Sequence, residues 1–385
     1  MPSFLENSLK QNCSGCGACA QSCALGAIKM EKDEEGFLYP LTDGDKCVRC
    51  GRCVSVCPFS SENKNQQAQD FFAAKSKEKQ IVNGSSSGGA FYEISKAFCS
   101  ENYALFGAEM TDDLKVCHSF ATDFSEISKF QKSKYVQSNT GDSFKKAKEF
   151  LDGGAKVLFS GTPCQIAGFK NFLGRDYDNL ITVDIVCHGV PSQQLFDKYL
   201  DELSKQLGEK ITSFTFRNKK NFYEKNTNQK TVLIRTESGR EAVKEVLECE
   251  YLAAFHEAVL YRPSCGECPF AELHRTGDIT LGDFWGAEKF YDGFDDGKGT
   301  SLVIANTDKG RALLQKTDMN LIVSDAETAS AYNAQLKRPA AVHKNRDKFF
   351  ELIKTHGFCE SVRACMDIPS PLRYRLYKLK TFIKG

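Results

Sequence analysis

No stretch of the 385 residues approaches the roughly eighteen consecutive apolar side chains that a membrane-crossing helix needs. The opening MPSFLENSLKQN also lacks the basic and apolar regions of a secretory signal. Both absences lead to the expectation of a cytoplasmic chain with no transmembrane segment. An excess of one charge is missing too: 51 Lys and Arg stand against 50 Asp and Glu, so no overall field draws the molecule to nucleic acid, which is not expected as a partner. No internal repeat appears beyond two short cysteine runs. Hydrophobic residues make up 41% of the chain, enough for packed cores, and the length fits two or three domains.

What the sequence has in excess is cysteine, seventeen in all. In a reducing compartment disulfides are rare, and closely spaced thiols read as metal ligands or redox groups. Eight of them fall in two runs, Cys13, Cys16, Cys19, Cys23 and Cys47, Cys50, Cys53, Cys57, each spaced C-x2-C-x2-C-x3-C, with Pro58 after the second. That is the spacing of bacterial ferredoxins that hold two 4Fe-4S clusters, in which the fourth cysteine of each run serves the other cluster. Cys13, Cys16, Cys19 and Cys57 are therefore assigned to one cluster, and Cys47, Cys50, Cys53 and Cys23 to its neighbour. Ser14, Gly15, Gly17, Ala18 and Gly51 sit between the ligands, where the backbone must curl closely and offer N–H groups to sulfide. Ala24 stands where a proline is expected after the first run, which leaves the ligand set intact. Zinc is the competing metal, but it takes four thiolates and seldom three in one CxxCxxC run.

A polar stretch at 61–70, SENKNQQAQD, reads as a linker. Beyond it, Gly88 and Gly89 open a helix with Ala90, Phe91, Ile94, Ala97 and Phe98 on one face, and Ser85, Ser86 and Ser87 read as caps. Strands are expected at 103–110, 116–120, 156–160 and 180–189, and helices at 142–151 and 192–207, the latter with Leu195, Phe196, Tyr199, Leu200 and Leu203 inward. Later strands are expected at 211–217, 231–235, 278–283 and 301–306, their pairing not derivable. Alternating strands and helices argue for an α/β core. From about residue 346 the chain reads as helical, ending in a run where Arg373, Arg375, Lys378, Lys380 and Lys384 meet no acid, a solvated basic helix or a dock for an acidic partner or a membrane.

Four more cysteines invite attention. Cys164 and Cys187 lie at or just past the carboxyl ends of expected strands, where functional groups of α/β sheets gather. Cys265 and Cys268 form a further CxxC in RPSCGECPF. The four could close a third cluster, although spacing alone does not force them together, and buried structural thiols are the plain alternative. Cys99, Cys117, Cys249, Cys359 and Cys365 match no motif.

The segments SSSGGAFYEIS (85–95), SKYVQSNT (133–140), GTPCQIAG (161–168), VDIVCHGVPS (183–192), CGECPF (265–270) and RTGDITLGDFWG (275–286) follow in an order that resembles the family of coenzyme F420 hydrogenase and dehydrogenase beta subunits. The resemblance spans roughly 70–330, and a ferredoxin domain in front resembles its bacterial branch. It implies a fold class of an α+β two-cluster ferredoxin-like domain at 1–60, a linker at 61–70, a larger mixed α/β domain at 71–330, and a helical basic tail at 331–385. It implies FAD and a third 4Fe-4S cluster, with Cys164, Cys187, Cys265 and Cys268 as ligands. Ser86, Ser87, Gly88 and Gly89 would offer a helix N-terminus to the flavin phosphates, and Lys134 and Tyr135 would contact the flavin. His188 and Asp283 are the polar groups placed for proton handling, with hydrogen bonding near a ligand as the plainer role of the histidine.

Trp285 in GDFWG is typical of the bacterial branch and argues against the deazaflavin coenzyme as substrate. That branch is often linked to surface-polysaccharide biosynthesis, which suggests a sugar or lipid-linked substrate. Expected partners are a ferredoxin or other low-potential donor, and a redox partner subunit. Three readings follow: a self-contained flavin-dependent reductase, a non-catalytic electron-transfer subunit, or clusters that serve structure or redox sensing.

Overall fold

The computed structural model describes residues 10–60, 68–219 and 231–366. Thirteen strands run through them: β1 (Ile28–Lys32), β2 (Leu38–Thr42), β3 (Asp70–Ser76), β4 (Tyr103–Met110), β5 (Val116–Ala121), β6 (Lys156–Gly161), β7 (Leu180–Ile185), β8 (Ile211–Asn218), β9 (Thr231–Thr236), β10 (Glu241–Glu245), β11 (Ile279–Asp283), β12 (Ser301–Ala305) and β13 (Met319–Ser324). Eight of them form one mixed sheet in the order β13-β3-β12-β11-β7-β6-β4-β5. Its centre, β11-β7-β6-β4, is parallel, and both flanks are antiparallel. Sheet and helices thus make the expected larger mixed α/β domain behind a small cysteine-rich N-terminal module.

Strand periodicity of two explains how the sheet is covered on both sides. Leu105, Leu158, Val303 and Ala305 face one core, against Ala90, Ile94 and Phe98 of the helix Ala90–Phe98 and Leu313 and Leu314 of the helix Asp308–Leu314. Their neighbours Ala104, Phe106, Val157 and Phe159 face the opposite side, against Phe144, Ile166 and Phe169 of the helices Ser143–Asp152 and Pro163–Leu173. A second sheet, β10-β9-β8, packs with the helix Gln193–Leu207, whose expected inward residues Leu195, Phe196, Tyr199, Leu200 and Leu203 are all buried.

The N-terminal module does not hang from a tether. Cys16, Ala18 and Val56 share a core with the helices Ser143–Asp152 and Pro163–Leu173. The Gln21 carboxamide oxygen accepts the Phe144 N–H at 2.9 Å at the head of the helix Ser143–Asp152. Of the linker expected at 61–70, residues 61–67 lie outside the described residues, but Gln69 donates to Leu273 O and Asn306 Oδ1, and Asp70 already opens β3. The boundary therefore shifts toward the N-terminus. In the same way the expected tail begins as core: the helix Phe358–Cys365 packs Phe358, Cys359 and Val362 against Tyr199 and Tyr251. Arg373, Arg375, Lys378, Lys380 and Lys384 lie outside the described residues.

The serines before the helix Ala90–Phe98 are not its caps. Gly89, at φ 93°, occupies the cap without a side-chain hydrogen bond, while Ser87 donates to Thr300 O and Ser86 accepts the Ser133 N–H. Tying two distant loops together outweighs a local cap. No helix among the described residues is long and apolar enough to cross a membrane.

Candidate redox centre

None of the seventeen cysteines forms a disulfide. In the N-terminal module, Gly17 (φ 78°) and Gly51 (φ 77°) head the short helices Ala18–Ser22 and Arg52–Ser55, a left-handed turn that lets each run double back on itself. Burial pushes the Cys19 thiol up to about 12, and Cys13 and Cys57 add to it, so the last cysteine of the second run stands with the first. Cys53 is raised by burial and by Cys47 and Cys50. Cys23 accepts the Ala27 N–H at 3.3 Å. Cys16 is buried and pushed well up by desolvation, then by Cys19, Cys164 and Cys13, which sets it between its own run and the larger domain.

The sheet topology gathers the other four thiols. Cys164 follows β6 in the first turn of the helix Pro163–Leu173, whose cap is a reciprocal Thr162–Gln165 box. Cys187 lies just past β7, the parallel neighbour of β6, and Asp283 ends β11 on its other side. Cys265 and Cys268 arrive on a loop clamped to the end of β7. Buried Asp184 takes hydrogen bonds from Thr276 N, Thr276 Oγ1 and Gly277 N, while Arg275 donates to Ile185 O, Phe270 O and Glu272 O and pairs with Asp184. The four thiols converge: burial raises Cys187 far above its usual range, and Cys265, Cys164 and Cys268 raise it further. Burial takes Cys265 to about 11 and Cys268 to about 12, with Cys164 adding to both.

Four partly buried thiols that oppose one another's ionisation suit a positively charged core able to neutralise them as thiolates. No three His, Cys, Asp or Glu side chains among the described residues crowd a single point as one metal ion demands. Four cysteine sulfurs brought together are the donor set that a 4Fe-4S cluster takes.

The four thiols open onto a cavity of about 610 Å³, a volume that suits a cofactor or a drug-sized ligand. Ser86, Ser87, Gly89, Lys134, Tyr135, His188 and Asp283 line the same cavity. Gly88 does not; its N–H goes to Ser301 Oγ, and a Cβ there would lie 2.4 Å from Ala74 O, so it serves the packing of the loop on β3 and β12. Lys134 is drawn down to about 7 by burial, against Glu109 and with Lys132, and its ammonium donates to Gln131 O. Lys219, drawn to about 7 by burial and by Arg217, donates to Val82 O and Ser87 O. Lys134, a buried amine in the cavity wall, favours an anionic occupant that would restore its proton. Asp283 is held in a 2.6 Å ion pair with Arg217, whose guanidinium faces Trp285. The carboxylate expected to move protons is therefore an anchor for a cation in the cavity wall.

Sequence reasoning missed Arg217, Arg262, Arg275 and Asp184. Arg262, Asp184 and Arg275 stand in the quoted segments around the cysteines, whereas Arg217 carried no such signal.

Residues 154–329 match the family model for the C terminus of the coenzyme F420 hydrogenase/dehydrogenase beta subunit. Residues 12–61 and 39–86 match models of 4Fe-4S dicluster domains. The chain is 24% identical over 211 residues to the F subunit of the F420H2 dehydrogenase of Methanosarcina mazei, covering 50% of this chain and 58% of that protein. It is 32% identical over 185 residues to coenzyme F420-dependent sulfite reductase of Methanocaldococcus jannaschii, covering 46% of this chain and 28% of that protein. It thus spans less than two thirds of either relative. A chain of the F420-reducing NiFe hydrogenase complex from Methanosarcina barkeri superposes with a TM-score of 0.45 at 18% identity, covering 77% of this chain and 96% of that one.

Proposed function

We propose that this chain, which belongs to the family of coenzyme F420 hydrogenase/dehydrogenase beta subunits, is an iron–sulfur flavoprotein oxidoreductase that passes electrons between a ferredoxin-type donor and a substrate. The observation that carries the reading is the opening of Cys164, Cys187, Cys265 and Cys268 onto the cavity that Ser86, Ser87, Lys134 and Tyr135 also line. When bound, 4Fe-4S clusters supply one-electron transfer and FAD joins it to two-electron chemistry.

The chain's own residues divide the work. Cys13, Cys16, Cys19 and Cys57 hold one cluster, Cys47, Cys50, Cys53 and Cys23 a second, and Cys164, Cys187, Cys265 and Cys268 a third. Gly89 at the head of the helix Ala90–Phe98, with Ser86, Ser87 and Lys134, receives the phosphates of the dinucleotide. Tyr135, set at 4.4 Å from the Phe255 ring, gives the flavin an aromatic wall. Arg217, fixed by Asp283, orients an anionic group of the substrate, and His188 moves its proton. A sugar or lipid-linked intermediate of surface-polysaccharide biosynthesis is the substrate class suggested by the bacterial resemblance.

A second reading, a non-catalytic electron-transfer subunit, is favoured by the exposure of Cys50 and of Val48 two residues before it. Iron, acid-labile sulfide and flavin per chain test both, on protein reconstituted without oxygen. About twelve irons and one FAD are expected. Turnover of the isolated chain then supports the reductase, and turnover only with a partner supports the electron-transfer role. About eight irons and no flavin would overturn both the third cluster and the flavin site.

A further inference from the structure

We propose that Arg262 is a positioning residue shared by two clusters: it locks the first-run ligand loop onto the third-cluster loops and, as their common cation, raises the reduction potential of both. The inference rests on the cluster assignments above and goes beyond them, because Arg262 is not a ligand.

Arg262 has no exposed surface. Its Nε donates to Cys13 O at 2.6 Å and its Nη2 to Leu38 O at 2.9 Å, and Nη2 also reaches the Cys13 sulfur at 3.6 Å. Nη1 donates to Gln137 Oε1 at 3.2 Å. The guanidinium lies 4.1 Å from the centre of the Tyr39 ring. Among the described residues no carboxylate pairs with it, although a wholly buried guanidinium needs a counter-charge. The nearest anions available are cysteine thiolates. One is Cys13, in direct contact. Others are Cys164 and Cys265, which line one cavity together with Arg262.

The backbone repeats the arrangement. Arg262 N donates to Val190 O, three residues past Cys187, and Arg262 O accepts the Cys265 N–H at 2.9 Å. One residue thus grips the segments of two third-site ligands through its main chain and a first-run ligand through its side chain. Gly15 makes room for it: at φ 66° a Cβ would lie 2.7 Å from Nη1. Three forked donors reaching Cys13 O, Leu38 O and Gln137 Oε1 at once are what a guanidinium provides and an ammonium does not. Reduction adds a negative charge to a cluster, and a fixed, buried cation beside it favours the reduced form.

The test is an EPR-monitored redox titration of the full reconstituted chain carrying Arg262→Gln or Arg262→Lys, beside iron content. Clusters are assigned with Cys57→Ser and Cys187→Ser. Arg262→Gln is expected to lower the potentials of the Cys13 and Cys164 clusters and leave that of the Cys47 cluster in place, and Arg262→Lys is expected to restore most of the shift. Where Arg262→Gln loses a cluster, Gln137→Glu decides, since a carboxylate at that position cancels the guanidinium charge and should move the same two potentials down. Unmoved potentials, or movement of one cluster alone, overturn the proposal. A wild-type chain with about eight irons removes the cluster assignment itself and is recognised before any variant is made.

Discussion

Lys134 sits in a cavity wall where its ammonium is poorly solvated, and burial holds it at about 7. Between about pH 7 and its ordinary value the unfolded chain binds a proton that the folded, ligand-free protein does not, so this group makes stability rise with pH across that window. An anion in the cavity reverses the preference. Binding of a phosphate-bearing flavin should then take up a proton, and affinity should fall as pH rises above 7, by at most about tenfold per unit. Fluorescence titration of the apoprotein with FAD at pH 6.5 and 8.5 measures it. Lys134→Met should flatten most of the slope. A wild-type affinity indifferent to pH would remove Lys134 from the phosphate site. The eight N-terminal cysteines were legible because ligand chemistry there writes itself as local spacing, whereas Cys164, Cys187, Cys265 and Cys268, spread over three loops, were not legible from spacing. Arg217 and Arg262 were not, since their partners Asp283, Cys13 and Leu38 are brought near only by the fold.

The helix Pro163–Leu173 shows how one element serves two sites. Its first turn presents Cys164, and one turn later Gly168 faces the module, where an added Cβ would lie 2.8 Å from the Cys16 sulfur and 3.4 Å from the Ala18 Cβ. Glycine inside a helix costs roughly 1 kcal/mol relative to alanine, so on propensity alone Gly168→Ala should stabilise. The contact predicts the opposite sign: overpacking should cost about 1–3 kcal/mol and lower iron incorporation into the first run. Gly44→Ala, with nothing within 4 Å, is the control. Thermal melts and iron assays decide it, and a rise in stability for Gly168→Ala would show that the module yields at this contact. Elements with strong local patterns, such as the helix Gln193–Leu207 and the strands β4, β6 and β7, were readable. The strands β3 and β13 and the β1-β2 hairpin were not. β3 takes its place between β12 and β13, partners more than two hundred residues away, so its identity is set by non-local pairing rather than by its own short pattern.

At the scale of the molecule, the module reads in sequence as a separate domain on a linker, yet it is bound on several sides. Arg346 grips Glu35 of the module's hairpin and donates to Tyr261 O, and Ser192 donates to Glu35 O. This docking gives the module a direction. The first run faces inward, with Cys16 buried, while in the second run Cys50 is exposed and Val48, two residues before it, is 70% exposed. An electron donor that met the module here would approach the second-run thiols first and leave the first run to pass charge inward. Arg49 and Arg52, also exposed, suit an acidic protein such as a small ferredoxin. Val48→Asp should then lower kcat/KM with a reduced ferredoxin by about tenfold, the usual effect of losing a central apolar contact, while reduction by dithionite, which needs no docking, stays unchanged. Stopped-flow bleaching of the iron–sulfur absorbance with each donor separates the outcomes. Equal loss with both donors would mean a damaged cluster, and no loss with either would move the entry point away from the second run.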